Sequence, residues 1–261
     1  MNKMSLTKLV VNLALQLPKL EGYHRFLFIG PHPDDIEIGA GATAAKLREL
    51  GKDVCFVICA DGRFGDEFVG ASVGADELIT IRQQEAKASA ARLGVDDVKF
   101  LGFSDGGFYN KEELYKSILM VISDFQPDIV FAPDPCVTSE CHADHLNVGE
   151  AVRRAAYFAQ YPGIMQAHGL KKASIMGLAY YMTAKANSFV KISSSQFKKQ
   201  LSSIFDCHLS QFPEGNKGAE AIKLYLNVRS VDYGLRCFSR HGEGFRVLGP
   251  THMHCLPEAG E

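Results

Sequence analysis

The chain lacks an excess of basic charge, an apolar run long enough for a bilayer, any C-x-x-C pair, any internal repeat and any Pro/Ser-rich linker. A formal net charge of −2 supplies no field to hold a phosphate backbone, so nucleic acid is not an expected partner. The longest early apolar run, Leu9 to Leu17, is interrupted by Asn12 and Gln16 and is too short to span a membrane. It follows Lys3 and Lys8, as a signal peptide would, but no small-residue cleavage site precedes Pro18 and Lys19, so secretion is disfavoured. Leu6, Leu9, Val10, Leu13 and Leu17 behind Ser5 predict an amphipathic helix instead. The seven scattered cysteines suit reduced thiols and a cytoplasmic location better than a disulfide framework. Cys55 and Cys59 fall in an apolar strand. Cys136 and Cys141 flank a histidine-rich segment, where a thiolate metal ligand is conceivable. With no linker in view, residues 1–261 read as one domain, with a core over about 24–160 and a C-terminal extension over about 164–261.

What is present is an alternation of strands and helices. Arg25–Gly30 and Asp53–Ala60 are apolar without polar alternation, the pattern of parallel strands buried on both faces. Residues 98–103 and 128–132 supply two more strands. Helices are predicted over 37–50, 76–93, 111–125 and 145–160, the first two closed by Gly51 and Gly94. Strands are expected at 174–182 and 189–192, and helices at 195–209 and 218–233. The fold class is α/β: a Rossmann-like, mostly parallel sheet with helices on both faces, extended or capped by the C-terminal strands and helices.

Two chemically loaded segments leave the carboxyl ends of predicted strands, where open α/β sheets bind ligands. The first is Pro31-His-Pro-Asp-Asp35, an imidazole and two carboxylates in a loop stiffened by two prolines. One aspartate would suffice to cap the next helix, so two beside a histidine argue for more than capping. The second is Cys141-His-Ala-Asp-His145, in which histidines three apart lie on nearby faces of a helix start. Glu37 reads more simply as capping or dipole-matching the helix start. His24, His168, His208, His241, His252 and His254 have no partner pattern.

Together, Pro31-His-Pro-Asp-Asp-Ile-Glu-Ile-Gly39 and His142-Ala-Asp-His145 resemble the two signatures of the LmbE-like, or PIG-L-type, zinc N-deacetylases. Asp61-Gly62, Arg82-x-x-Glu85, Leu93-Gly-Val95 and Ser104-Asp-Gly106 also match, and Glu243-Gly-Phe245 does so more weakly. The resemblance spans roughly residues 24–160. It implies one Zn2+ per chain on His32, Asp35 and His145, with an open position for water. It implies Asp34 as general base, His142 as acid or electrostatic partner, and Asp144 as the residue that orients an imidazole. Arg82 and Asp105 would contact a small N-acetylated sugar, and the family's habit of assembly implies a homo-oligomer. Departures fall at Gly41-Ala-Thr43 and in the loop 61–75, which leaves the identity of the sugar open. Phe64, Phe68, Phe108 and Tyr109 suit either stacking on a sugar or local packing.

Three other readings fit parts of the sequence. Gly39-Ala-Gly-Ala-Thr-Ala44, with Asp61 ending the second strand, partly fits a dinucleotide fingerprint, but the His-Asp-Asp loop would crowd carboxylates against a pyrophosphate. A non-catalytic metal- or carbohydrate-binding module would need the ligands but not the spare Asp34. A phosphoesterase would call for two metals, and one His-Asp-His set holds one.

Overall fold

The computed structural model describes residues 10, 14–70, 72–254 and 256. The amphipathic helix expected over Leu6–Leu17 falls mostly outside the described residues. Strand β1 (Arg25–Gly30) explains its own lack of polar alternation. Phe26 and Phe28 enter one core with Phe56, Phe131 and Tyr181, while Leu27 and Ile29 enter the opposite one with Val57, Ile118, Val130 and Val148. Every position beyond Arg25 is buried, as a central parallel strand requires.

β1 pairs in parallel with β2 (Asp53–Ala60) on one side and β4 (Ile129–Pro133) on the other. The Phe28 and Phe131 rings stack at 4.2 Å across that second pairing. β3 (Asp97–Phe103) adds to β2, β5 (Gly177–Tyr181) to β4, and the order across the sheet is β3-β2-β1-β4-β5-β7-β6. β7 (His241–Leu248) runs antiparallel to β5, and β6 (Ser188–Ile192) antiparallel to β7. The chain winds outward from β1 in both directions, so β1 and β4 flank the switch point of the sheet. Their following loops are the two histidine-bearing segments.

Helices α1 (Asp35–Glu49) and α2 (Ala75–Arg92) cover the Phe28 face. α3 (Lys111–Phe125) and α4 (Ala143–Phe158) cover the Ile29 face. After a short α5 (Pro162–Ala167), α6 (Ser194–Phe205) and α7 (Lys217–Arg236) return to the first side. Asn110 starts α3 by accepting the N–H groups of Glu112 and Glu113, and Ser193 with Gln196 forms a capping box on α6. Among the described residues no helix is long and apolar enough to cross a membrane.

β7 is a strand that sequence patterning misses, because Gly242, Glu243, Gly244 and Arg246 interrupt its apolar run. The glycines have a packing cause: a Cβ at Gly242 would stand 2.7 Å from the Tyr233 backbone, and one at Gly244 2.8 Å from the Tyr233 ring. They let α7 lie directly on the strand. The dinucleotide-like glycines have a similar cause. Gly39 sits inside α1, where a Cβ would run into the Tyr181 ring, so it serves helix–sheet packing and not a phosphate.

Glu243 fastens the helix that follows the first of the two loops, and Arg246 fastens the start of the second. α1 is kinked at Ala40 (φ −152°, ψ 15°), which frees backbone donors in mid-helix. The buried Glu243 carboxylate accepts the N–H groups of Ala42 (3.2 Å) and Thr43 (2.6 Å) and the amide of Gln200 (2.8 Å). Arg246 donates twice to the buried Asp134 just beyond β4, at 2.6 and 2.9 Å. Burial pushes the Glu243 carboxyl up to about 7, against the pull of the Thr43 and Ala42 donors. An acid raised in the folded state contributes stability that is full below its unfolded pKa near 4.5 and is lost as pH rises through 7. Glu243→Gln keeps the shape and cannot ionise. Unfolding free energies from chemical denaturation at pH 5 and pH 8 should therefore fall for the wild type relative to the variant, by up to about 3 kcal/mol. Parallel pH curves would refute this reading of Glu243.

Candidate active site

The loop between β1 and α1 puts Asp34 at φ 128°, a conformation rarely adopted by a non-glycine residue. Asp34 occupies the cap position of α1, yet its side chain makes no capping hydrogen bond, so helix capping does not explain it. Its carboxylate instead meets Arg82 Nη2 at 3.2 Å. The same guanidinium donates to the carbonyls of Pro33 (3.0 Å) and Gly62 (3.1 Å), and Arg82 is only 3 % exposed. Arg82, expected from the sequence as a sugar contact, thus has both terminal nitrogens on protein acceptors and tethers the loop at 31–35 to the loop after β2. Burial pushes the Asp34 carboxyl up to about 6, with Arg82 opposing the rise and Asp35 adding to it.

Asp35 turns inward. Its Oδ2 accepts the His32 backbone N–H (2.9 Å) and lies 3.2 Å from His32 Nδ1 and 3.3 Å from His145 Nε2. Burial would raise its pKa, but His145 and His32 together hold it far below the usual carboxylate range. The other His32 nitrogen, Nε2, lies 3.0 Å from Asp105 Oδ1 and 3.1 Å from Asp144 Oδ2. Burial alone would lower the His32 pKa, yet Asp105, Asp144 and Asp35 push it up to about 12. The His145 pKa is likewise raised against burial, chiefly by Asp35.

Asp144 is fully buried and accepts the N–H groups of Gly106 (2.8 Å) and Gly107 (2.9 Å). Those two donors converge because both glycines adopt positive φ, 84° and 78°. Burial opposes its charge, but His32 and the Gly106 donor are among the contacts that keep its pKa low. The imidazole that Asp144 touches most closely is His32; His142 Nδ1 is 3.7 Å away. His142 begins α4, where its Nδ1 accepts the Asp144 N–H at 3.3 Å, and its ring packs 4.6 Å from that of His32 and 5.1 Å from that of His145.

The loops after β1 and β4 therefore meet, as their positions in the sequence lead one to expect. His32, His142 and His145 each bring a ring nitrogen within 4.8 Å of the others, and Asp35 Oδ2 stands between His32 and His145. A borderline-soft divalent cation suits such imidazole and carboxylate donors, and a cation would relieve the crowding of acids around His32. The donor groups close enough to share an ion are His32, His142 and His145, and His32, Asp105, His142 and Asp144. Asp35, through its contacts with His32 and His145, gives the alternative set in which it replaces His142. Among the described residues neither Cys136 nor Cys141 joins a metal-binding group. Cys55 and Cys59 are buried in the core.

Several contributing residues carried no recognisable sequence signal. Glu140, two positions before His142, accepts the His142 N–H (2.8 Å), and its Oε2 lies 3.2 Å from His145 Nδ1, outside good hydrogen-bond geometry. Glu37 does not cap the helix: buried, it accepts the Ser89 hydroxyl at 2.7 Å and faces the buried His208 at 3.5 Å. Ser210 binds Glu85, and Gln211 donates to the Gly65 carbonyl (2.8 Å), so the segment after α6 braces both α2 and the loop at 61–65. Asp61 is paired with Arg63 at 2.6 Å and accepts the Asp105 N–H, which leaves it unfit as a ribose ligand. Phe64 and Phe108 lie edge to face at 6.2 Å and stay 56 % and 75 % exposed beside Asp105, whereas Tyr109 packs against Phe103.

A family model described as GlcNAc-PI de-N-acetylase (PIG-L) matches residues 27–156. Diacetylchitobiose deacetylase of Thermococcus kodakarensis is 36% identical over 238 residues, 90% of this chain and 87% of its own length. A 1D-myo-inositol 2-acetamido-2-deoxy-alpha-D-glucopyranoside deacetylase of Kineococcus radiotolerans is 29% identical over 59% of this chain and 50% of its own. The solved N,N'-diacetylchitobiose deacetylase of Pyrococcus horikoshii superposes with a TM-score of 0.85 at 31% identity, covering 98% of both chains.

Donor sets with and without His142 are separable by elemental analysis after dialysis. Asp35→Asn and His145→Ala should weaken metal retention by about 100-fold or more, while His142→Ala should keep a stoichiometric ion. Loss of metal from His142→Ala alone would assign a ligand set that contains it.

Proposed function

This chain belongs to the PIG-L family of GlcNAc-PI de-N-acetylases and is a deacetylase, and from that premise we propose that it uses zinc to hydrolyse the acetamide of an N-acetylglucosamine unit in a short chitin-like oligosaccharide. The products are acetate and a free amine. Likeness to the diacetylchitobiose deacetylases runs along nearly the whole chain, whereas likeness to the inositol-linked sugar deacetylase stops at 59% of it, which favours the oligosaccharide. Unpaired thiols at the six described cysteines support a reducing, cytoplasmic compartment.

His32, Asp35 and His145 would hold the ion. When bound, zinc supplies a Lewis acid that lowers the pKa of water and polarises the amide carbonyl. The single observation that carries the reading is Asp34: buried, held in a strained conformation, adjacent to Asp35 and steered by Arg82. A carboxylate kept out of both capping and ligation is placed to take a proton from the attacking water and return it to the departing nitrogen. His142 supplies the complementary group. Because its Nδ1 accepts the Asp144 N–H, the ring proton of the neutral imidazole resides on Nε2, which becomes a donor for the oxygen that gains charge as the tetrahedral centre forms. Exposed Phe64 and Phe108 give the sugar an apolar face to rest on.

Asp34→Asn is a clean test, since asparagine tolerates positive φ and its amide keeps the shape. With zinc retained, kcat for amine release from diacetylchitobiose should fall about 10²–10⁴-fold, and His142→Ala should fall within the same range. A wild-type protein that binds zinc and releases no amine from any member of an N-acetylglucosaminide panel would instead make the chain a binding module.

A further inference from the structure

Helix α7 carries apolar residues on two sides. Ala219 and Leu226 are buried toward the protein with Ile204 and Phe212. The opposite side presents Leu224, Val228, Val231 and Leu235 at 66, 61, 46 and 72 % exposure, with Tyr225 beside them and Phe238, just past the helix end, at 94 %. One stripe is enough to dock a helix on its own domain, so the second has no partner within the described chain. Its intervals of four, three and four residues are those of the seam between paired helices. These six side chains leave on the order of 600–700 Å² of apolar surface in water, at or above the largest patch of an ordinary monomer and close to the ~800 Å² each partner gives to a stable interface.

The order of the residues selects the partner. Leu224-x-x-x-Val228-x-x-Val231-x-x-x-Leu235 reads the same from either end. A two-fold axis crossing the helix between Arg229 and Ser230 therefore sets Leu224 opposite the partner's Leu235 and Val228 opposite the partner's Val231. The same axis carries the bulky Phe238 toward the partner's Ala221. Self-complementarity under a two-fold rotation is what an isologous contact demands. The flanking cations do not oppose it, because each turns toward its own chain: Arg236 pairs with Asp232 at 3.0 Å, Arg229 lies over Tyr225 and Tyr233, and Lys223 lies over Phe205. We infer that α7 is the seam of a two-fold assembly, in which it packs antiparallel against α7 of a second copy of this chain.

Sedimentation equilibrium of the full chain tests the seam, using Val228→Lys and Val231→Glu as separate proteins. The wild type should sediment at an even multiple of the chain mass, and each variant at half the wild-type value. Mixing the two variants in equal amounts should restore the wild-type mass, because position 228 faces position 231 of the partner. Circular dichroism melting checks that each variant is folded, and Leu224→Lys with Leu235→Glu replaces the pair if either fails to fold. A monomeric wild type, or variants with the wild-type mass, would overturn the inference. Singly dissociated variants that stay apart on mixing would overturn the antiparallel pairing.

Discussion

Three carboxylates, from Asp35, Asp105 and Asp144, are gathered around the single imidazole of His32 with Asp34 buried next to Asp35, and buried like charges at such spacing repel unless positive groups stand among them. Much of the surrounding architecture answers that constraint. Arg82 neutralises Asp34 while tying two loops together. The paired N–H groups of Gly106 and Gly107 hold Asp144, and His145 closes on Asp35 from the next loop. A divalent cation fits the remaining deficit. The same electrostatics separates two adjacent aspartates into different tasks, with Asp35 held ionised toward the histidines and Asp34 raised by burial on the far side of the loop.

The chemistry of the site was legible in the sequence because it is local. Pro31 to Asp35 and His142 to His145 each compress several functional groups into one turn, and strand alternation shows that both turns leave the same edge of the sheet. The architecture was legible for a related reason: β1 and β2 are apolar at nearly every position, which only a doubly covered strand requires. What escaped is what depends on distant pairing. β7 looks too rich in glycine and charge to be a strand until Tyr233 is seen against Gly242 and Gly244. Glu37, His208 and Glu140 are isolated letters in the sequence, given meaning by partners that only folding supplies.

Arg82 shows how a residue can be singled out by a motif while its contacts stay unforeseen. Motif likeness assigned it to the sugar, and the fold places it under the loop at 31–35 with its terminal nitrogens on Pro33, Asp34 and Gly62. From there it braces the loop that carries Asp34, whose φ of 128° few non-glycine residues adopt.

The bracing of α1 and of the loop after β4 by β7 also has a consequence for the order in which the protein is made. Every residue proposed above for the metal or for proton transfer lies before residue 146, yet Glu243, which binds the kinked helix, and Arg246, which grips Asp134, are translated about a hundred residues later. At ~5–20 residues per second that interval lasts roughly 5–20 s on the ribosome. A nascent chain thus carries the proposed catalytic groups well before it carries the strand that braces the elements bearing them. Catalytic geometry is the last property the growing polypeptide acquires.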